Sequence, residues 1–281
     1  MRPIRIGKIS FTNILPIYHY FDGSGLPIEM IPLVPTGLNR RMARGEIDMG
    51  PISAFAYAEQ YPDYVLLPDL SVSATGPVGS IFLFTRGESL EELNGARIAL
   101  TNTSASSVAL LKILLEKYAG VSPEYVTMAP SLDEMMRGAD AALLIGDDAL
   151  TGLWRNPGFR VFDLGEEWHR CTGLSMTFAV WAVRREIAEE RTEELAEIHR
   201  RFMLAKERGR REPLPVIREA IRQLGGDVPF WTRYFGGLDY DFRAKHREGL
   251  QTYFDHAYEL GILSARVEIQ VLDLPLELEH A

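Results

Sequence analysis

The chain is poor in cysteine: Cys171 is the only one in 281 residues. An internal disulfide is therefore excluded, and so is a thiolate metal cluster. No long uninterrupted apolar run occurs, so no transmembrane helix is expected. The stretch from Met1 to Lys8 mixes charges and a glycine among its apolar residues, and no signal-peptide core is expected there. With the cysteine usage, these features predict a cytoplasmic protein. Basic residues are in the minority, with 30 Lys and Arg against 39 Asp and Glu, a net charge of −9. No Lys/Arg-rich stripe stands out, which argues against a nucleic-acid partner. The acidity also gives no bulk steering to an anion, so an anionic ligand would need local donors.

Recognisable chemical motifs are also missing. His19, His169, His199, His246, His256 and His280 show no metal-ligand spacing. There is no Walker loop and no strand-borne GxGxxG. No GxSxG elbow supports a serine-hydrolase triad. A lone cysteine is more often packing than nucleophile. No metal and no cofactor is expected.

What is present is an ordinary globular composition, 46% hydrophobic and 25% charged. The length favours two lobes over one core. Residues 3–10, 28–34, 48–52 and 64–68 read as strands with helical stretches at 14–21, 38–44 and 53–60 between them, the rhythm of a mostly parallel sheet. A second set follows, with strands at 97–101, 125–128, 141–145 and 160–162 and helices at 105–118, 132–137 and 149–154. Two long apolar strands, 78–85 and 176–183, bracket it. A chain that leaves one lobe, builds another and returns has a two-strand hinge. This is the plan of a two-lobed, type II periplasmic-binding-protein-like α/β fold. The expected lobes are 1–84 with 182–281, and 85–181. The last hundred residues hold half of the charged side chains. Amphipathic helices over 185–208, 214–224 and 242–260 are expected to form a solvated cover.

Ligands of such sheets bind at the ends of the parallel strands. Four polar segments fall there or at the hinge. Ser10-Phe11-Thr12-Asn13 follows the first strand, where Thr12 or Asn13 is also a natural N-cap. Gly50-Pro51-Ile52-Ser53 places Ser53 at a helix start, as cap or as ligand contact. Gly76-Pro77-Val78-Gly79-Ser80 enters the hinge, and its glycines allow close backbone approach. Thr101-Asn102-Thr103-Ser104-Ala105-Ser106-Ser107 gathers five hydroxyls and an amide at a helix N-terminus. One cap needs only one of them, and free N–H groups with the helix dipole favour a carboxylate. Asp147 and Asp148 follow a strand, as helix caps or cleft acids. Segments 165–168 and 171–174, the latter with Thr172 and Gly173, are placed as cleft walls.

Six motifs in this order resemble the chorismate dehydratase family of the futalosine route to menaquinone. They are IGKISFTNILPIY (6–18), GEIDMGPISAFAYA (45–58), PDLSVSATGPVGSIFLF (68–84), TSASSVALLKILL (103–115), DAALLIGDDAL (140–150) and DLGEEW with TGL and FAVWA (163–182). The resemblance covers most of residues 4–184; the C-terminal hundred contributes little to it. It implies a hydro-lyase that eliminates water from chorismate to give 3-enolpyruvylbenzoate. It also implies catalytic roles for Asn13, Ser80 and Asp147. Thr103, Ser106 and Ser107 match the family's carboxylate-binding helix start, and Ser10, Ser53, Ser104, Thr172 and Gly173, from the polar segments above, are expected to join them in binding substrate. The expected partner is this small dianion, not nucleic acid or membrane. The family usually has a proline and bulky apolar residues after TGL, whereas this chain has Ser175-Met176-Thr177, which is expected to reshape one wall. Two other readings stand beside this one. A cytoplasmic binding protein for a small anion would have the same fold. The later, dihydroxynaphthoate-releasing enzyme of the pathway carries an acidic run after the first strand, where this chain has Phe11-Thr12-Asn13-Ile14.

Overall fold

Residues 2–274 are described by the computed structural model. Their first strand, β1 (Ile4–Ile9), buries Ile4, Ile6 and Ile9 and pairs in parallel with β2 (Ile28–Leu33) and β3 (Met49–Ser53). β4 (Tyr64–Ala74) runs past the expected end at residue 68. These strands form a five-stranded sheet in the order β2-β1-β3-β10-β4. β5 (Ile81–Thr85), β6 (Arg97–Thr101), β7 (Glu124–Met128), β8 (Ala141–Ile145) and β9 (Arg160–Asp163) form a second, in the order β7-β6-β8-β5-β9. β10 (Met176–Arg184) completes the first sheet.

Both sheets are mixed: four strands of each run in one direction, as expected for a mostly parallel sheet, and one strand runs against them. β10 lies antiparallel between β3 and β4, and β5 lies antiparallel between β8 and β9. This changes the expected lobe boundaries. Each of these two strands is paired on both edges within its own sheet, so the connections between the sheets lie just before them. All of β5 belongs to the second sheet and all of β10 to the first, so the chain crosses between sheets within 75–80 and 173–175. The expected boundaries after residues 84 and 181 lie a few residues beyond these crossings. Residues 275–281 of the expected first lobe, with His280, lie outside the described residues.

The helices up to β10 are α1 (Leu15–Tyr18), α2 (Pro35–Ala43), α3 (Ala54–Glu59), α4 (Ala105–Lys112), α5 (Leu132–Gly138), α6 (Gly146–Trp154) and α7 (Leu164–Thr172). α7 takes the segment expected as cleft wall. Asp163 caps it by accepting from the N–H groups of Gly165 and Glu166, and Gly173 ends it in the left-handed region at φ 73°.

After β10 come α8 (Arg185–Glu190), α9 (Thr192–Arg211), α10 (Pro213–Leu224), α11 (Val228–Gly237) and α12 (Ala244–Glu259). The expected single helix over 185–208 breaks at Arg191, whose side chain turns to Glu194 and to the carbonyl of Arg2. α11 was not expected; its last two residues are the Gly236-Gly237 pair read as a separator. Nor is this region only a solvated cover. Phe202, Trp231, Tyr253 and Phe254 are buried, and buried Lys206 pairs with Asp241 at 2.7 Å. α12 packs on β10, α3 and α4, and so touches elements of both lobes. Among the described residues no helix is long and apolar enough to cross a membrane.

Candidate active site

Two parallel strands of the first sheet and one of the second end at the same cleft. The turn after β1 brings Asn13, the end of β3 brings Ser53, and the turn after β6 brings Thr103, Ser104 and Ser107. The first crossing brings Ser80. These six side chains line one cavity, backed by an apolar wall that includes Phe11, Val72, Ile145 and Phe178. The lining contains no ionisable side chain. A larger, open depression of about 430 Å³ lies beside β4 and α8, walled by Asp63, Arg184, Arg185, Glu186 and Glu189. It gathers none of the strand-end motifs. The cleft cavity has the polar groups on apolar walls that small-molecule sites have.

The hydroxyls are ordered by one another. Ser53 is the N-cap of α3, accepting from Ala56 N–H at 3.2 Å, and it also accepts from Asn39 Nδ2 at 3.3 Å. Capping and cavity lining thus fall to the same side chain. Ser104 is the N-cap of α4; it accepts from Ser107 N–H at 3.2 Å and donates to Ser107 Oγ at 3.0 Å. That leaves the Ser107 proton for a ligand. Thr103 Oγ1 shares a 2.7 Å hydrogen bond with Thr101. Asn13 contributes an acceptor: its Oδ1 is buried with no protein partner. A buried orphan acceptor costs stability unless something supplies the missing bond.

The other expected site residues lie elsewhere. Ser10 is exposed and off the cavity. Ser106 is buried with its Oγ accepting from Phe55 N–H at 2.8 Å, which ties α4 to α3 across the two lobes. Thr172 turns back to the carbonyl of Trp168 at 2.8 Å, and Gly173 forms the end of α7; neither lines the cavity. Neither Thr12 nor Asn13 caps the turn after β1. Instead Thr12 donates to Asp147 Oδ1, through its hydroxyl at 2.6 Å and its N–H at 3.3 Å. Asp147 therefore sits in the first turn of α6 without capping it, as a clasp between the lobes. Burial pushes its carboxyl above the usual range, against the opposing pull of the Thr12 bonds.

None of Ser175, Met176 and Thr177 lines the cavity, although Phe178 and Ala179, which follow them on β10, do. Thr177 Oγ1 bonds Ser73 at 2.8 Å, and Ser175 Oγ donates to the carbonyl of Lys245 at 3.1 Å. Asp163 is a residue the sequence reading missed. Besides capping α7, it accepts from Val78 N–H at 3.0 Å and Gly79 N–H at 2.6 Å, which fixes the crossing that carries Ser80. The motif around it was visible; its contact with a segment 85 residues away was not.

The model of the menaquinone biosynthesis family matches residues 4–259. The chain belongs to the menaquinone biosynthesis family. Within curated proteins, this family member is 33% identical over 272 residues to chorismate dehydratase of Thermus thermophilus, covering 90% of this chain and 94% of the relative. Solved structures share the fold at lower identity. A protein from Archaeoglobus fulgidus superposes with a TM-score of 0.73 at 23% identity, covering 92% of this chain and 98% of that one. The periplasmic aliphatic sulphonate binding protein of Escherichia coli gives 0.72 at 20% identity, covering 100% and 95%. The menaquinone family member thus has the periplasmic-binding-protein-like fold expected from its strand rhythm.

Proposed function

We propose that this chain is a chorismate dehydratase, a hydro-lyase that converts chorismate to 3-enolpyruvylbenzoate and water. The observation that carries the reading is the 33% identity to a chorismate dehydratase over nearly the whole of both chains. The cleft supports it chemically. Chorismate is a dianion with a hydroxyl, and the lining offers neutral hydroxyl donors with one orphan acceptor. Thr103 and Ser107, at the start of α4, hold one carboxylate, where free N–H groups and the helix dipole add to the hydroxyls. Asn13 Oδ1 accepts from the C4 hydroxyl. Ser80 donates to the same oxygen as its bond to carbon breaks.

The reaction removes the C3 proton and the C4 hydroxyl. The C3–H electron pair becomes part of the aromatic ring, the C4–O bond breaks, and hydroxide leaves as water with the abstracted proton. Donors around the substrate stabilise charge as it develops. With no ionisable side chain in the lining, the base is a carboxylate of the substrate itself, and the protein's part is to fix the reactive conformation. Asp147 acts as a clasp and not as the base.

The test is incubation of the purified protein with chorismate. A new aromatic absorbance and a product lighter by one water are expected. Chorismate bound but recovered unchanged would make the chain a binding protein, and neither binding nor turnover would remove chorismate from consideration.

A further inference from the structure

The C-terminal region, charged in sequence, sends three buried tyrosine hydroxyls to residues of the strand-end motifs. Tyr240 donates to the carbonyl of Asn13 at 2.8 Å, Tyr253 to the carbonyl of Ser106 at 3.1 Å, and Tyr234 to Ser80 Oγ at 2.9 Å. Of these, only Tyr234 meets a side chain atom of a cavity-lining residue. Its ring seats against Gly79, where a Cβ would come within 3.2 Å of it and where φ is +72°. The close approach and the left-handed backbone both call for glycine beside Ser80.

A phenol is a stronger donor than an alcohol and has one proton to give. Burial pushes the Tyr234 hydroxyl well above its usual range, so it stays protonated. Ser80 Oγ accepts that hydrogen bond and has no other side-chain hydrogen bond among the described residues. Its own proton is left for the cavity. We propose that Tyr234 is a positioning residue for the reaction: by donating to Ser80 Oγ it commits the Ser80 proton to the ligand, so that Ser80 acts as donor and not as acceptor. This rests on the reading of the cleft as a chorismate dehydratase site. The ligand atom facing Ser80 is then an oxygen that gains negative charge, and a ligand presenting an N–H or O–H donor there is rejected.

The test is a double-mutant cycle on chorismate turnover. Tyr234→Phe should lower kcat by about 5- to 10-fold, the worth of one ordinary hydrogen bond, with KM nearly unchanged. In a Ser80→Ala background the same substitution should change kcat by less than about twofold, because the atom it orders is gone. An equal loss in both backgrounds means a merely structural role and overturns the proposal, as does no loss in either. A difluorinated tyrosine at 234 keeps the ring and acidifies the hydroxyl, and so covers a Tyr234→Phe protein that does not fold. Its kcat should fall at a lower alkaline pH than that of the native protein; superimposable pH profiles would overturn the proposal. If the native protein does not turn over chorismate, the functional reading fails and takes the proposal with it. If it does and the cycle shows no coupling, Tyr234 alone is misassigned.

Discussion

Asp147 is the cleft-motif carboxylate expected to be catalytic, and its geometry separates two mechanisms. Its Oδ1 takes both the hydroxyl and the N–H of Thr12, and Asp147 is not among the residues that line the cavity. In Asp147→Asn the amide oxygen can still accept both bonds. Turnover should fall by less than about tenfold, against the 100- to 10,000-fold typical of losing a general base. Ser80→Ala should cost more, on the order of 100- to 1,000-fold, as for loss of an oxyanion donor, and Asn13→Ala, which removes the acceptor proposed for the departing hydroxyl, should also cost more than Asp147→Asn. Steady-state kinetics on folded variants decide. Intact chorismate binding with abolished turnover in Asp147→Asn would make Asp147 the base.

At the scale of elements, two helix glycines reverse the usual rule. Replacing an interior helix glycine with alanine ordinarily gains about 1 kcal/mol. At Gly249 in α12 an added Cβ would lie 1.9 Å from the carbonyl oxygen of Ser175, and at Gly209 in α9 it would lie 2.1 Å from that of Pro16. The first contact seats α12 on the second crossing between the sheets; the second seats α9 on α1. We expect Gly249→Ala to destabilise the protein by about 1–3 kcal/mol through overpacking. A melting temperature equal to or above that of the native protein would show that α12 has room to move.

At the scale of the whole molecule, the two lobes meet beside the site. Thr12–Asp147 and Phe55–Ser106 join the lobes, and the cavity between them holds about 60 Å³, far below the roughly 300–1,000 Å³ of small-molecule pockets. Acid acts on the same whole. Burial alone would raise Asp48 and Asp239, but the bonds from Arg2 and Arg5 to the one, and from His246 and Lys245 to the other, outweigh it. Both carboxyls are held well below the usual range. Their stabilisation is present above the unfolded carboxyl value of about 4 and is lost as pH falls toward their folded values. Asp48→Asn should cost about 3 kcal/mol at neutral pH, since it breaks a pair whose carboxylate is fully buried. It should also flatten the acid limb of stability, as followed by denaturant titration at several pH values. An unchanged acid limb would place the sensitivity in other groups.

The sequence by itself determined the strand rhythm, the hydroxyl-rich turns and, through six ordered motifs, the family. Such features are local. Alternating burial, caps and strand-end turns are written in consecutive residues, and so Asn13, Ser53, Ser80, Thr103, Ser104 and Ser107 were legible as a set. Tertiary structure decided what depends on partners distant along the chain. It turned Ser106 toward Phe55, gave Asp147 to Thr12, and placed Thr172 and Gly173 at a helix end. It moved the crossings to 75–80 and 173–175, because only the pairing of β5 and β10 on both edges fixes which sheet each enters. It also brought Tyr234 to Ser80 from 154 residues away. A hydrogen bond of that span leaves no periodicity, cap or spacing in the sequence, because its two ends meet only after both lobes have folded.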